Sequence, residues 1–324
     1  MFYRLFFALS LAVTFLLPRL GAQALSVHVY QIEEEGNPKQ LEQDARFKLI
    51  QGYLRSGWSE SSLSAARKVT NTLFASNIYL PRCKASIIPQ AFMFQPSHAA
   101  RFANLVIYDG YVEAPETGWF RFVGTGDDIL MVNFDKKTVL EAGYYLPSRR
   151  KVLNGTQASY KQKIARAPHA TALMVVPRAS YYNVDLGGLT AGLPFEVEKG
   201  KVYAIKILYV DMGGGAGMTL LLEHLKEKHS ASKGRVELPA GQKLDLFRVS
   251  DSLPQESELR RMMGRYLEGS MEWIPFNENS LIWKAVAKPA EVSGDDASAS
   301  GSDEDAPKPK KKKRRKRGNT FRPL

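Results

Sequence analysis

Two separated blocks of alternating apolar and polar residues constrain the fold more than any other feature of this 324-residue chain. The first runs from Leu105 to Gly143 and is interrupted by the turn-forming segments Pro115–Gly118 and Asp135–Lys137. The second runs from Phe195 to Glu223 and contains the glycine run Gly213–Gly217. Period-two alternation with tight turns is typical of antiparallel strands. The sequence therefore predicts a mainly β protein, an antiparallel sandwich or barrel with short flanking helices.

Shorter elements are predicted around and within these blocks. The stretch Gly124–Asp128 is predicted as a loop, because two glycines and two aspartates follow each other closely. Apolar spacing predicts a helix over Asp44–Leu54 and a second short helix over Ser59–Lys68. Extended pieces are expected in 72–94. Near the carboxyl end we expect a helix over Pro254–Leu267 with Leu259, Met262, Met263 and Tyr266 on one side, and a closing strand over Ser280–Val286.

The amino terminus has the pattern of a secretory signal peptide over residues 1–24. A short basic start is followed by the apolar run Leu5–Leu17, then by Pro18 and the small-x-small triplet Ala22–Ala24. The run is shorter than the ~20 residues needed to span a bilayer. We predict cleavage after Ala24 and a secreted, periplasmic or cell-surface protein; an uncleaved membrane anchor is the alternative. A single cysteine, Cys83, leaves no internal disulfide and favours a bacterial envelope or secreted protein.

The carboxyl terminus, residues 288–324, is predicted to be disordered, because Ser, Asp, Ala, Pro and Lys dominate it. Its acidic stretch Asp295–Asp305 is followed by ten Lys and Arg within Lys308–Leu324; subtracting these from the net charge of +12 leaves +2 for the rest. Such a tail predicts docking to an anionic surface or polyanion. A solvated tail, partly neutralised by the acidic stretch, is the alternative. The candidate polyanion-binding residues are Lys308, Lys310, Lys311, Lys312, Lys313, Arg314, Arg315, Lys316 and Arg317.

Both patterned blocks resemble one known family. The segment Gly110–Phe122, with its Pro-x-x-Gly turn, followed by Gly126-Asp127-Asp128, resembles the start of the N-terminal domain of anthrax-toxin protective antigen, and Val197–Leu222 resembles its second half. The resemblance covers 105–145 and 195–224, whereas 146–193 departs from it as an insertion. Domains of this family recur in secreted bacterial proteins, glycoside hydrolases and fungal adhesins. The resemblance implies a β-domain over 25–287 with a non-catalytic role.

The resemblance also implies a calcium site. In the fungal lectins of the family, two adjacent aspartates hold a calcium ion that binds sugar hydroxyls, and Asp127 and Asp128 match that pair. Calcium prefers hard oxygen ligands. Adjacent side chains point apart in a strand, so their convergence would need an unusual backbone such as a cis peptide. Asp211, beside the glycine run, is a further candidate ligand. The alternative is that the pair only caps loop amides.

The sequence therefore predicts an exported binding module that is not an enzyme and that recognises carbohydrate or envelope glycan, with calcium as a candidate cofactor. It contains no Gly-x-Ser-x-Gly elbow, no phosphate-binding loop and no closely spaced histidine pair. Two alternatives remain open. The first is a structural envelope protein that uses the β-domain for protein contacts and the basic tail for docking. The second is a hydrolase with two facing carboxylates, although no motif selects such a pair.

Overall fold

The structure is a computed structural model that describes residues 24–32, 42–69, 73–94, 103–143, 145–146, 151–152, 174–175, 189–226, 243–263 and 273–289. The signal segment, the acidic-then-basic tail and most of the 146–193 insertion lie outside the described residues. The described strands belong to a unit that ends at Lys288. Within the described residues, no helix is both long enough and apolar enough to cross a membrane.

Strands dominate the described elements. The helices are α1 (Glu42–Arg55), α2 (Ile88–Ala91) and α3 (Glu256–Met263), with 3-10 turns at Glu60–Leu63 and Ala85–Ile87. The strands are β1 (Leu25–Gln31), β2 (Arg67–Lys68), β3 (Leu73–Ala75), β4 (Tyr79–Lys84), β5 (Asn104–Glu113), β6 (Gly118–Asp127), β7 (Ile129–Phe134), β8 (Lys137–Gly143), β9 (Tyr145–Leu146), β10 (Lys151–Val152), β11 (Met174–Val175), β12 (Thr190–Ala191), β13 (Phe195–Val197), β14 (Val202–Asp211), β15 (Gly215–Leu225), β16 (Asp245–Leu246) and β17 (Ala285–Val286).

Most strands belong to two antiparallel sheets. The first sheet has the order β2-β1-β5-β14-β7-β8, with β3 also paired to β1 and β17 to β5. The second has the order β11-β12-β6-β15-β16, with β13 also paired to β6 and β4 to β15. The predicted fold class, a mainly antiparallel β structure with short helices, is therefore confirmed, and its two sheets pack as a sandwich.

The main core lies between the sheets and follows directly from the alternation. On β14, Ile205, Ile207 and Tyr209 turn inward, and on β15 Met218 and Leu220 do the same. These side chains are almost completely buried. Burying one large aliphatic side chain contributes about 1.5–3 kcal/mol. Repeated over both sheets, this burial holds the two layers together.

The outer face of the first sheet is also apolar over half of its length, and α1 covers it. The helix confirms the prediction over Asp44–Leu54 and places Ile50 and Tyr53 against Leu208 and Val210 of β14. Because the inward residues of β14 alternate with these outward ones, both faces of the strand are buried there.

The predicted loop at Gly124–Asp128 is wrong, because β6 continues to Asp127 and pairs with β15 over this stretch. The glycines serve close packing here. A Cβ added at Gly124 would lie 2.9 Å from Leu130 Cδ2, and one added at Gly126 would lie 2.7 Å from Leu130 Cβ. Their missing side chains let β6 approach β7, so a composition typical of turns occurs inside a strand.

Two of the smaller predictions also need correction. The predicted helix over Ser59–Lys68 is only a 3-10 turn followed by β2, because the Glu60 side chain is tied to Tyr30 of β1 and to Lys68 of β2. The predicted closing strand reduces to β17, which pairs with β5. The predicted carboxyl-terminal helix is present as α3. The side chains expected on its apolar side lie outside the described part of the chain.

Residues after β15 complete the central core. Phe247 and Trp283 are both 0% exposed. The Trp283 ring meets Phe120 edge-on with centroids 5.2 Å apart, and Phe247 meets Phe122 in the same way at 5.1 Å. The segments beyond the second patterned block are therefore part of the sandwich core.

We expect Phe247→Ala to lower the free energy of unfolding by about 3–5 kcal/mol, because it empties a closed aromatic cluster. Phe74→Ala is the matched control, since Phe74 is 72% exposed and should change stability by no more than about 0.5 kcal/mol. Urea unfolding followed by tryptophan fluorescence measures both. Equal effects of the two substitutions would contradict this description of the core.

Candidate functional site: an acidic cluster at one end of the sandwich

Asp127 and Asp128 lie where β6 ends and β7 begins, and the peptide bond between them is cis. Two contacts hold their backbone in place. The N–H of Asp128 donates to the Val210 carbonyl oxygen at 2.8 Å. The hydroxyl of Tyr209, buried in the core, donates to the Asp127 carbonyl oxygen at 2.9 Å and accepts the Gly217 N–H at 3.1 Å. The pair is thus anchored to both β14 and β15.

Asp211 ends β14 and faces the same loop as the aspartate pair. One of its carboxylate oxygens, Oδ1, accepts the Gly213 N–H at 3.2 Å. Asp128 Oδ2 accepts the Met212 N–H at 2.7 Å. Asp127 Oδ2 lies so close to Gly215 that an added Cβ there would be 2.6 Å away. The structure therefore brings all three sequence-predicted site residues against the single loop 211–215.

Burial dominates the electrostatics of these carboxyl groups. Asp127, Asp128 and Asp211 are 7%, 8% and 0% exposed. Desolvation raises the pKa of Asp127 to about 6, against a smaller lowering effect of Arg82. Desolvation and then the Asp127 charge raise the pKa of Asp128 to about 7. Desolvation raises the pKa of Asp211 to about 8, and the other two carboxylates add to it. The three groups therefore repel one another when ionised.

Asp211 and its neighbour Asn104 both hold buried polar atoms that make no hydrogen bond of ordinary geometry. These atoms are Asp211 Oδ2 and both side-chain polar atoms of Asn104, within the described part of the chain. The Asn104 side chain is nevertheless close enough to Asp211 to lower its pKa slightly against the effect of burial. Asn104 is the cross-strand neighbour of Asp211 in the β5–β14 pairing. Buried polar atoms without partners are rare in folded proteins and often mark a place for an ion or water.

The donor chemistry of this cluster fits a hard cation such as calcium, because carboxylate and amide oxygens are the ligands calcium takes. Among the described residues, however, no three His, Cys, Asp or Glu side chains stand in the arrangement of a complete metal-binding group. Backbone carbonyl oxygens or water would have to complete the six to eight ligands that calcium requires.

Sequence reasoning missed two residues that shape the cluster. Asn104 begins β5 and is brought to Asp211 only by strand pairing. Gly143 ends β8 with φ of 112°, and a Cβ there would lie 2.1 Å from the Asp128 carbonyl oxygen. A glycine and an asparagine are common in strand ends and loops, so no local signal distinguishes them. The nine Lys and Arg of the predicted polyanion-binding tail lie outside the described residues.

Comparison with known proteins finds likenesses among solved structures alone: no family model matches the chain, and no curated protein sequence does. A PA14 domain of the antifreeze protein MpAFP is 13% identical, with a TM-score of 0.37 over 64% of this chain and 85% of that one. The A domain of Candida glabrata epithelial adhesin 6, in complex with Galβ1-3GlcNAc, is 17% identical. Its TM-score is 0.36, and the match covers 64% of this chain and 83% of the adhesin domain. A PA14 sugar-binding domain from an RTX adhesin is 17% identical. Its TM-score is 0.37, and the match covers 63% of this chain and 90% of that domain.

Without metal, we expect the free energy of unfolding to fall as the pH rises from 5.5 to 8.5. The folded carboxyl groups keep protons up to their raised pKa values of about 6, 7 and 8, whereas unfolded ones titrate near 3.8. The folded state therefore binds more protons in this window, and stability falls with pH by several kcal/mol, since each pKa unit of difference is worth about 1.4 kcal/mol. Denaturant unfolding in EDTA measures this. Asp211→Asn should flatten the profile, and an unchanged slope in that variant would refute the assignment.

Gly143→Ala should destabilise the chain and distort the Asp127–Asp128 corner, because its Cβ would overlap the Asp128 carbonyl oxygen. A steric and positive-φ penalty of this kind costs on the order of 2 kcal/mol or more. Gly52→Ala serves as the control, since Gly52 lies in α1 with nothing within 4 Å of an added Cβ. It should be neutral or stabilising by up to about 1 kcal/mol. Thermal unfolding compares the two variants. Similar melting temperatures would contradict the close approach of the Gly143 backbone to the Asp128 carbonyl oxygen.

Proposed function

We propose that this protein is an exported, non-catalytic carbohydrate-binding module in which Asp127, Asp128 and Asp211 hold a calcium ion. One observation carries the proposal: three buried carboxylates lie against the same loop, and within the described residues the Asp211 Oδ2 atom makes no hydrogen bond of ordinary geometry. Within a protein interior, like charges of this kind are stable only when protonated or when a cation neutralises them.

Calcium suits the cluster better than a softer metal, because the available donors are oxygens. Asp127, Asp128 and Asp211 would supply the charged ligands, and the amide oxygen of Asn104 lies on the strand next to Asp211. When bound, calcium offers coordination positions that accept sugar hydroxyl oxygens. The chain itself positions the carboxylates through the Met212 and Gly213 amides and excludes water by burying them.

Binding, rather than hydrolysis, is supported by the placement of the carboxylates. A glycosidase sets two carboxyl groups on opposite sides of the scissile bond, with room for a sugar between them. Here the acidic groups gather on one loop at the end of a rigid sandwich, which is a common place for recognition loops. The resemblance of Gly110–Asp128 to the protective-antigen family supports the same role.

Export and tail docking are part of the proposal and rest on the sequence. Strand β1 begins at Leu25, the residue that would follow cleavage after Ala24, and Leu25 is buried in the main core. The stretch of cations in Lys308–Arg317 would add attachment to an anionic surface such as an acidic envelope polymer.

Asp128→Asn should weaken calcium binding about 100-fold, because it removes a charged ligand while keeping the shape of the side chain. Asp135→Asn is the matched control: Asp135 lies in the exposed β7–β8 turn with φ of 47°, a conformation that asparagine tolerates. Calorimetric titration with calcium chloride compares the two variants with the unaltered chain. A glycan array, probed in calcium and in EDTA, then reports the sugar ligand.

Two results would count against parts of this proposal. Equal calcium affinities for Asp128→Asn and Asp135→Asn would remove the metal site. Tight calcium binding with a blank glycan array in both buffers would leave the metal site standing and refute the carbohydrate role.

A further inference from the structure

A second polar site lies on the outer face of the first sheet, far from the acidic cluster. Five polar side chains stand in register across five neighbouring strands: Thr138 on β8, Asn133 on β7, Lys206 on β14, Asp109 on β5 and Ser26 on β1. All five line one open groove of about 940 Å³, here called the outer groove. At ~4.8 Å per strand spacing, this row extends roughly 19 Å across the sheet.

Among the described residues, the row marks the border between the half of this face that α1 covers and the half that lines the outer groove. On one side, Ile107, Met131 and Leu208 are buried beneath α1. On the other side, Tyr111 and Ala204 line the groove as direct cross-strand neighbours. Tyr111 is half-buried and lines the groove. An aromatic ring in such a position can pack against the flat face of a sugar.

Contacts hold the centre of the row in place. The Nζ atom of Lys206 lies 3.0 Å from Asp109 Oδ2 and donates to the Trp58 carbonyl oxygen at 3.2 Å. The Ser26 hydroxyl donates to the Asp109 carbonyl oxygen at 2.8 Å. The Lys206 and Asp109 side chains are nevertheless 32% and 33% exposed, so a ligand can reach them. A site with side chains already in position loses less conformational entropy on binding.

The charge of the outer groove is positive. Lys206 and Asp109 neutralise each other, while Lys136 adds an exposed cation that also lines the groove. Lys136 lies in the turn between β7 and β8, next to the end of the row at Asn133 and Thr138. An exposed cation beside this polar row favours an anionic ligand.

The chemistry of the row selects a class of ligand. Extended peptides recognise sheets through unpaired backbone groups at an edge, whereas the outer groove lies on a sheet face, where β5, β14 and β7 each pair on both sides. Nucleic acid sites rely on successive stacking rings and longer runs of cations. Hydroxyl, amide, carboxylate and ammonium groups in one row match sugar hydroxyls instead. We infer that the outer groove binds a segment of a linear acidic polysaccharide, without calcium.

The site is independent of the acidic cluster. Asp211 lies five residues beyond Lys206 on the same strand, about 17 Å away at ~3.4 Å per residue. Binding in the outer groove should therefore persist in EDTA, where the calcium-assisted site of the proposed function would be inactive. Failure of one site leaves the other untouched.

Calorimetric titration of the full chain in EDTA tests the inference, with a hexasaccharide of uronic acids from alginate as the probe. Lys136→Gln should weaken binding about twofold to fivefold, as expected for an exposed charge pair. Tyr111→Ala should weaken it about fivefold or more, as expected for an aromatic anchor. Lys137→Gln is the matched control, because Lys137 is the exposed next residue and does not line the groove. Cellohexaose, a neutral chain of equal length, should bind at least fivefold more weakly.

Several results would overturn the inference. The basic tail is present in every variant, so equal affinities for Lys136→Gln, Tyr111→Ala and Lys137→Gln would assign the binding to the tail. Equal competition by hexaglutamate would exclude a preference for sugar, and equal affinity for cellohexaose would exclude a preference for acid. Absence of alginate binding, or its loss in EDTA, would remove the site. Matching melting temperatures of the Lys136 and Lys137 variants confirm that both are folded.

Discussion

The pairing of β5 with β14 is the interaction on which both candidate sites depend. Ten consecutive residue pairs join these strands, from Val202 opposite Glu113 to Asp211 opposite Asn104. The same register sets Lys206 opposite Asp109 in the outer groove. A slip of one residue would turn every side chain of a strand to the other face. The apolar residues of β14 that pack on both sides oppose such a slip, so the core holds the sites in place.

The acidic cluster works against the stability of the fold that carries it. Burying Asp127, Asp128 and Asp211 disfavours their ionised forms, and each charge disfavours the others. The aromatic core around Phe247 and Trp283 offsets this cost, since both rings are completely buried. Functional sites commonly lower the stability of the fold in this way, because the side chains they need are unfavourable to bury. A cation that neutralises the cluster would turn part of this cost into binding energy.

The accuracy of the sequence predictions depended on how local each signal was. Alternation correctly marked β5, β7 and β14, and helical spacing correctly marked α1, because each pattern is read within one element. The prediction at Gly124–Asp128 was wrong because glycine has two uses. It permits turns, and it also permits close approach of strands, which is its role beside Leu130. Only the neighbouring strand distinguishes these uses.

The sequence by itself determined which residues share a face, and hence that antiparallel strands enclose a core; that these strands form two sheets of a sandwich was decided by the tertiary structure. It also singled out Asp127, Asp128 and Asp211 through residue type and family resemblance. Only the tertiary structure decided that these three meet at one loop, that Asn104 stands opposite Asp211, and that polar side chains of five strands form one groove. The physical reason is that cross-strand neighbours are distant along the chain, and their register is set by packing of the whole sandwich.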